Sequence, residues 1–279
     1  GPAEAIIGAV PPQHMYGLET TILLPLVTGA LVHCGRPLLP ADIDEALNAV
    51  GAVSGNAARR WLIATPFTLR AMADDPLFAP HLDAIISATM PLEVMLANEI
   101  EQRWATALYE IYGCTEGGSL ATRRVTESAR WHMLPGVTIA MRDDTAWVEN
   151  GHLTEPVPLA DQIVVHTPDT FDLFGRSANL VKVGGKRTSL EALNAALTGL
   201  PGVRDGVFFV PDLDRDERLT AFVVAPGLSS RDILAGLRAH IDPAFLPRPI
   251  VMVQNLPRNE LGKIPRAALE SMAAKRGRQ

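Results

Sequence analysis

The run Leu108-Tyr-Glu-Ile-Tyr-Gly-Cys-Thr-Glu-Gly117 decides how the rest of the chain is read. Its first half, Ala107 to Tyr112, is short and apolar and reads as a buried strand. Gly113 is expected to end that strand and let the backbone turn sharply. Thr115 and Glu116 then lie on the loop at the strand's exit, which in open α/β sheets is where ligands bind. A hydroxyl beside a carboxylate suits a phosphate with its magnesium. Thr115 can donate to a phosphate oxygen, and Glu116 can hold the hard cation.

Upstream of this run, strands and helices alternate. Ile6 to Val10 reads as a strand, Gln13 to Gly17 as a loop, and about Leu18 to Leu26 as an apolar helix. Ala30 to Cys34 is the next strand, followed by a helix over Ile43 to Val50 with Asp42 available as its cap. Trp61 to Ala64 and Leu82 to Ser87 are strands, and Phe67 to Ala73 and Leu92 to Arg103 are helices. This alternation predicts a mainly parallel sheet covered by helices. The character changes after Arg124. Residues 131–175 offer only short β-rich pieces (Val137 to Met141, Thr145 to Val148, Gln162 to His166, Thr170 to Phe174), expected to form a small antiparallel or barrel-like unit. From about Ser177 a compact α+β unit is expected. Its strands are Leu180 to Val183, Val207 to Val210 and Leu219 to Val224. Its helices are Leu190 to Leu197 and Arg231 to Ile241, the latter capped by Ser229-Ser230.

With 279 residues the chain is comfortable for two domains, and 47% hydrophobic with 20% charged residues is ordinary globular composition. A net charge of -6 argues against a nucleic-acid partner. Leu23 to Val32 is broken by Pro25 and Gly29, so no run has the length of a membrane span. Cys34 and Cys114 have no metal-type spacing, which makes a reducing, cytoplasmic compartment the expectation. Three more stretches could carry chemistry. Ser87-Ala-Thr-Met-Pro91 has small residues at a strand's end, where a flat ligand can approach the backbone. Arg176, in Phe174-Gly-Arg, sits where two composition regimes meet, as a hinge would. Gly262-Lys263 places an ammonium on a turn, a compact charge suited to phosphates.

The order and spacing of these stretches resemble the acyl-adenylating superfamily: acyl- and aryl-CoA synthetases, peptide-synthetase adenylation domains and luciferases. The resemblance covers nearly the whole chain. Tyr112-Gly-Cys-Thr-Glu116 is similar to the family's Tyr-Gly-x-Thr-Glu, which implies Thr115 at the α-phosphate and Glu116 at magnesium. Ser87 to Pro91 resembles Ser-Gly-Gly-Ala-Pro, which stacks on adenine and lines the acyl pocket; Ala88, Thr89 and Met90 depart from it. Pro12-Gln-His-Met-Tyr-Gly17 resembles Pro-x-x-His-x-x-Gly with one residue fewer, which places His14 and Met15, with Ser87 and Gly113, by the acid. Asp161 matches by position the aspartate that holds both ribose hydroxyls, and Gly175-Arg176 matches the hinge, with Ala178 where an acidic residue or lysine is usual. Val181-Lys-Val-Gly-Gly-Lys-Arg187 implies Gly185 and Lys186 beside pantetheine, and Pro257 to Lys263 implies that Lys263 reaches the α-phosphate during adenylation.

The resemblance implies a fold and an activity. Residues 1–175 would be the later portion of a large adenylation domain, and 176–279 a small mobile lid with its hinge near 176–178. An acid, aryl or hydroxyaryl by the look of Phe171 to Arg176 and Lys186 to Leu190, would be activated by ATP and Mg2+ as acyl-AMP. It would then pass to CoA or to the phosphopantetheine of an acyl carrier protein. A fatty acid is the alternative substrate, and a silent nucleotide- or carrier-binding fragment the alternative function. The family's Ser/Thr/Gly-rich loop ending in Pro-Lys has no counterpart in this sequence. Val53-Ser-Gly-Asn56 comes nearest, and the chain is therefore expected to be the later part of a longer enzyme.

Overall fold

The computed structural model describes residues 4–54, 59–176, 180–183, 185–210, 219–259 and 264–276. Lys263, Ala178, Gly184 and Asn56 lie outside the described residues, and of Arg176 only the backbone is described. Two compact units divide between Leu173 and Phe174.

The first unit opens with β1 (Glu4–Gly8), where Ile6 to Val10 was expected. A continuous helical stretch follows: α1 (Met15–Leu18), a π-helical stretch (Glu19–Leu23) and α2 (Leu24–Thr28), closed by Gly29 at φ 74°. Pro25 has no N–H to return and its ring crowds the turn before it, and that is where the helix widens. Then come β2 (Leu31–Val32), α3 (Pro40–Ser54), β3 (Arg59–Ala64), α4 (Pro66–Ala73), β4 (Ala84–Ser87), α5 (Val94–Trp104) and β5 (Ala107–Cys114). Asp42 does not sit at the N-cap of α3. From inside the first turn its Oδ2 accepts the backbone N–H of Leu38 and Leu39, at 3.2 and 3.0 Å. Thr65 caps α4 as its sequence suggests, accepting from the Thr68 N–H.

The sheet continues where the sequence offered little. β6 (Gly118–Arg123) and β7 (Trp131–Met133) were not foreseen, and Gly-Ser-Leu-Ala-Thr-Arg has no alternation to reveal a strand. β8 (Val137–Arg142), β9 (Thr145–Asn150), β10 (Val157–Leu159), β11 (Asp161–Thr167) and β12 (Thr170–Arg176) complete the β-rich stretch. The β-rich stretch over 131–175 shares one core, from Trp131 to Phe171, but divides between two sheets. β7, β12 and β11 extend the main sheet, and only β10-β9-β8 form a sheet of their own.

The nine-stranded sheet has the order β11-β12-β7-β6-β5-β4-β3-β1-β2. β2, β1, β3, β4 and β5 run parallel, and β5, β6, β7 and β12 pair antiparallel. Alternate residues of the parallel strands bury both ways. Ile7, Leu62, Ile85 and Leu108 pack under α3, α4 and α5, while Ile6, Ile63 and Ile86 pack on the other face with Tyr16.

The second unit has its own core, centred on Leu193, Leu197, Phe208, Ala221, Val223 and Leu237. It contains the hairpin β13 (Leu180–Val183) and β14 (Lys186–Ser189), α6 (Leu190–Thr198), β15 (Asp205–Phe209), β16 (Thr220–Val224), α7 (Ser230–Leu237), β17 (Ile250–Met252) and α8 (Arg266–Arg276). Ser229 and Asp232 form a capping box at the start of α7, which ends four residues before the expected Ile241.

Candidate active site

Parallel pairing puts the C-terminal ends of β1, β3, β4 and β5 along one edge. The order β2-β1-β3-β4-β5 reverses direction at β1, and ligands of such sheets bind beside that switch. The loop carrying His14 and Met15 leaves β1 at this place. His14 is exposed at the start of α1 and makes no capping bond, and Met15 is half-buried. Tyr16 anchors the loop from beneath. Its hydroxyl donates to the carbonyls of Ile86 at 2.7 Å and Ala64 at 3.1 Å, the last turns of β4 and β3. Burial pushes the Tyr16 phenol well above its ordinary range, so it remains a donor.

The Ser87–Pro91 turn leaves β4. Ser87 is fully buried and Ala88 nearly so. Thr89 adopts φ 79°. It stands in the place of a family glycine and keeps a glycine-like backbone despite its branched Cβ. The Ser87 Oγ and Thr89 Oγ1 atoms are buried with no hydrogen-bond partner among the described residues, which leaves two unsatisfied hydroxyls in this turn. Glu110 supports the turn: its Oε1 accepts the Leu92 N–H at 3.1 Å, and its Oε2 accepts from Arg123 Nε at 2.6 Å.

Gly113 does not end its strand. β5 runs on to Cys114, with an irregularity in register between Tyr112 and Gly113. A Cβ on Gly113 would lie 2.2 Å from the Gly118 carbonyl oxygen, so glycine is needed for close approach and not for a turn. The reversal is made at Thr115 to Gly117, with Gly118 at φ 66°. Thr115 and Glu116 are exposed on it. Burial raises the Cys114 thiol, the Gly117 N–H opposes that, and the Glu116 carboxylate adds to it, which leaves the thiol a poor nucleophile.

Tyr112 and Asp161, 49 residues apart, are brought together. The Tyr112 hydroxyl donates to Asp161 Oδ2 at 2.7 Å. The Tyr112 ring packs against Trp131 and Phe171, with centroids 5.8 and 5.7 Å away, and the Arg123 guanidinium lies 4.4 Å over Trp131. Trp131, Glu110 and Arg123 were given no role by sequence reasoning, because each acts through contacts between strands. Among the described residues no group of three or more His, Cys, Asp or Glu could hold a metal. The lone exposed carboxylate of Glu116 instead fits Mg2+, which is usually held by one or two carboxylates plus substrate phosphates.

In the second unit Gly185 is exposed at φ 79° in the hairpin turn, and a Cβ there would meet no atom of the described residues within 4 Å. The exposed Lys186 pairs with Asp242 at 2.6 Å. Arg258, in the segment leading to Lys263, grips Asp205 through two bonds of 2.8 and 2.5 Å. This anchor too has no local sequence signal.

Residues 1–171 match the model of the AMP-binding enzyme family. The chain belongs to that family. It is 29% identical over 241 residues to a 4-coumarate–CoA ligase of Rhodobacter capsulatus, covering 86% of this chain and 58% of the relative. It is 26% identical over 288 residues to a probable 2-succinylbenzoate–CoA ligase of Mycobacterium tuberculosis, covering 96% and 74%. The fold of a benzoate CoA ligase from Burkholderia xenovorans superposes with a TM-score of 0.77 at 19% identity, over 97% of this chain and 62% of that one. The chain thus spans about three-fifths of the R. capsulatus relative and of that structure.

Proposed function

We propose that this family member takes part in ATP-dependent activation of a carboxylic acid, most suitably an aryl acid, as acyl-AMP, and in transfer of the acyl group to a thiol of CoA or of an acyl carrier protein. The observation that carries the reading is the gathering of the Ser87–Pro91 turn, the Tyr112–Asp161 bond and the Thr115–Glu116 turn along one end of one sheet. The aryl preference is supported by the coumarate and succinylbenzoate named for the two relatives.

In this reading a carboxylate oxygen attacks the α-phosphorus of ATP and pyrophosphate leaves. Thr115 binds an α-phosphate oxygen, Asp161 holds the ribose, and the hydroxyls of Ser87 and Thr89 face adenine and acid. Mg2+ bound at Glu116 would supply positive charge against the phosphates. Lys263 would oppose the charge that grows on the α-phosphate. A thiol then attacks the acyl carbon and AMP leaves, with Gly185 and Lys186 lining the thiol's approach once the second unit turns about a hinge near 176–178.

Pyrophosphate exchange with a panel of aryl, hydroxyaryl and fatty acids tests this. Exchange with aryl acids supports it, and exchange with fatty acids alone would move the substrate class. A second reading, a silent nucleotide- or carrier-binding fragment, is favoured by the 58% coverage of the R. capsulatus relative. It predicts AMP binding with no exchange for any acid.

A further inference from the structure

Glu19 has no part in the roles assigned so far. It opens the π-helical stretch that follows the His14 loop. Single π turns inside helices recur at functional sites. Its carboxylate reaches across 100 residues: Oε1 and Oε2 both accept the backbone N–H of Ser119, at 3.2 and 3.1 Å. Oε2 also accepts the Ser119 hydroxyl. Gly118 makes room for this grip, since a Cβ there would fall 2.4 Å from Glu19 Oε1. Gly117 is held separately, its carbonyl 2.9 Å from His152 Nε2. The residues just after Glu116 are therefore clamped by two side chains, while Thr115 and Glu116 themselves stay exposed. A carboxylate that takes the same N–H on both oxygens and a hydroxyl besides fixes direction as well as distance.

We propose that Glu19 is a positioning residue that ties the Thr115–Glu116 turn to the helix beginning at the acid-side loop, and so holds the turn ready for a nucleotide phosphate. The inference rests on the adenylating reading of that turn. A turn that must be ordered at the moment of binding binds more weakly than one already held.

The test is calorimetric titration of the full chain with AMP, joined to amide hydrogen exchange over residues 115–120. Glu19→Ala is expected to weaken AMP about tenfold, the loss of one charge-assisted contact, and to speed exchange of the Ser119 amide. Glu19→Gln keeps an oxygen acceptor for that amide and should recover affinity to within about threefold. A merely structural glutamate would lower the melting temperature of both variants and leave AMP affinity of the folded protein alone. Should Glu19→Ala not fold, Ser119→Ala deletes only the hydroxyl bond and should cost about threefold. Unchanged AMP affinity in these variants, with wild-type binding intact, overturns the inference and spares the proposed function. A wild type that neither binds AMP nor exchanges pyrophosphate overturns both.

Discussion

Thr89 is the only β-branched residue at positive φ among the described residues. Its backbone strain is of the kind that clusters at ligand-handling turns and costs of the order of 1–3 kcal/mol. Thr89→Gly should therefore stabilise the protein by about 1 kcal/mol, after the entropy that glycine adds to the unfolded chain. Urea unfolding reads this as a higher midpoint at unchanged slope, and a lower midpoint would refute it. Glu110 gives a second expectation. Burial raises its carboxyl above the ordinary 4.5, with Arg123 and the Leu92 N–H opposing the shift. The folded state then keeps the proton to higher pH than the unfolded state. The stability this group contributes is full below pH 4.5 and declines as pH rises through the raised folded value. Subtracting the pH profile of Glu110→Gln from that of wild type should expose this decline, and a difference that grows with pH in that window would contradict it. At this scale the sequence was informative about which residues matter and poor about why. Gly113 is a case in point: glycine serves equally for a sharp turn and for close approach, and only the position of Gly118 tells them apart.

At the scale of elements, the helical stretch from Met15 to Thr28 is amphipathic in an unusual sense. Against the sheet it buries Gly17, Thr20 and Thr21, whose hydroxyls bond back to Tyr16 and Gly17 carbonyls at 2.6 and 2.7 Å. Outward it shows Leu18, Ile22, Leu23, Leu26 and Val27, the last two 77% and 86% exposed. A continuous apolar stripe of this kind favours association. The chain should self-associate with rising concentration, and Leu26→Glu with Val27→Glu should shift it toward monomer in sedimentation velocity. A wild type that stays monomeric throughout would dismiss the stripe as a contact surface. The parallel strands and their helices were legible because each is an apolar run bounded by turn residues. The helix was expected over about Leu18 to Leu26 and runs from Met15 to Thr28, because its first turn carries no apolar run to mark it. β6 and the Glu19 clamp were invisible, because both depend on partners distant in sequence.

At the scale of the molecule, two units carry two separate cores. The candidate contacts for ribose, α-phosphate and adenine lie in the first, on Asp161, Thr115 and the Ser87–Pro91 turn. The sequence has no Pro-Lys loop for the β- and γ-phosphates. Each charge-assisted phosphate contact is worth about 1.5–3 kcal/mol. AMP should therefore bind this chain at least as tightly as ATP, where two such contacts would favour ATP about a hundredfold or more. Competitive calorimetry decides this, and a hundredfold preference for ATP would mean that other residues here cradle the outer phosphates.

The bond between Tyr112 and Asp161 also sets a timetable for folding. It joins β5 to β11, and three strands of the sheet, β6, β7 and β12, lie between them in the pairing order. Contacts of such long loop length are closed late in folding. A refolding chain should recover its far-ultraviolet signal first, and the near-ultraviolet signal of Trp131 only as the sheet between them zips shut. Since Trp131 packs on the Tyr112 ring, that optical change reports closure of the β5 to β7 part of the sheet, on which the candidate ribose contact is built.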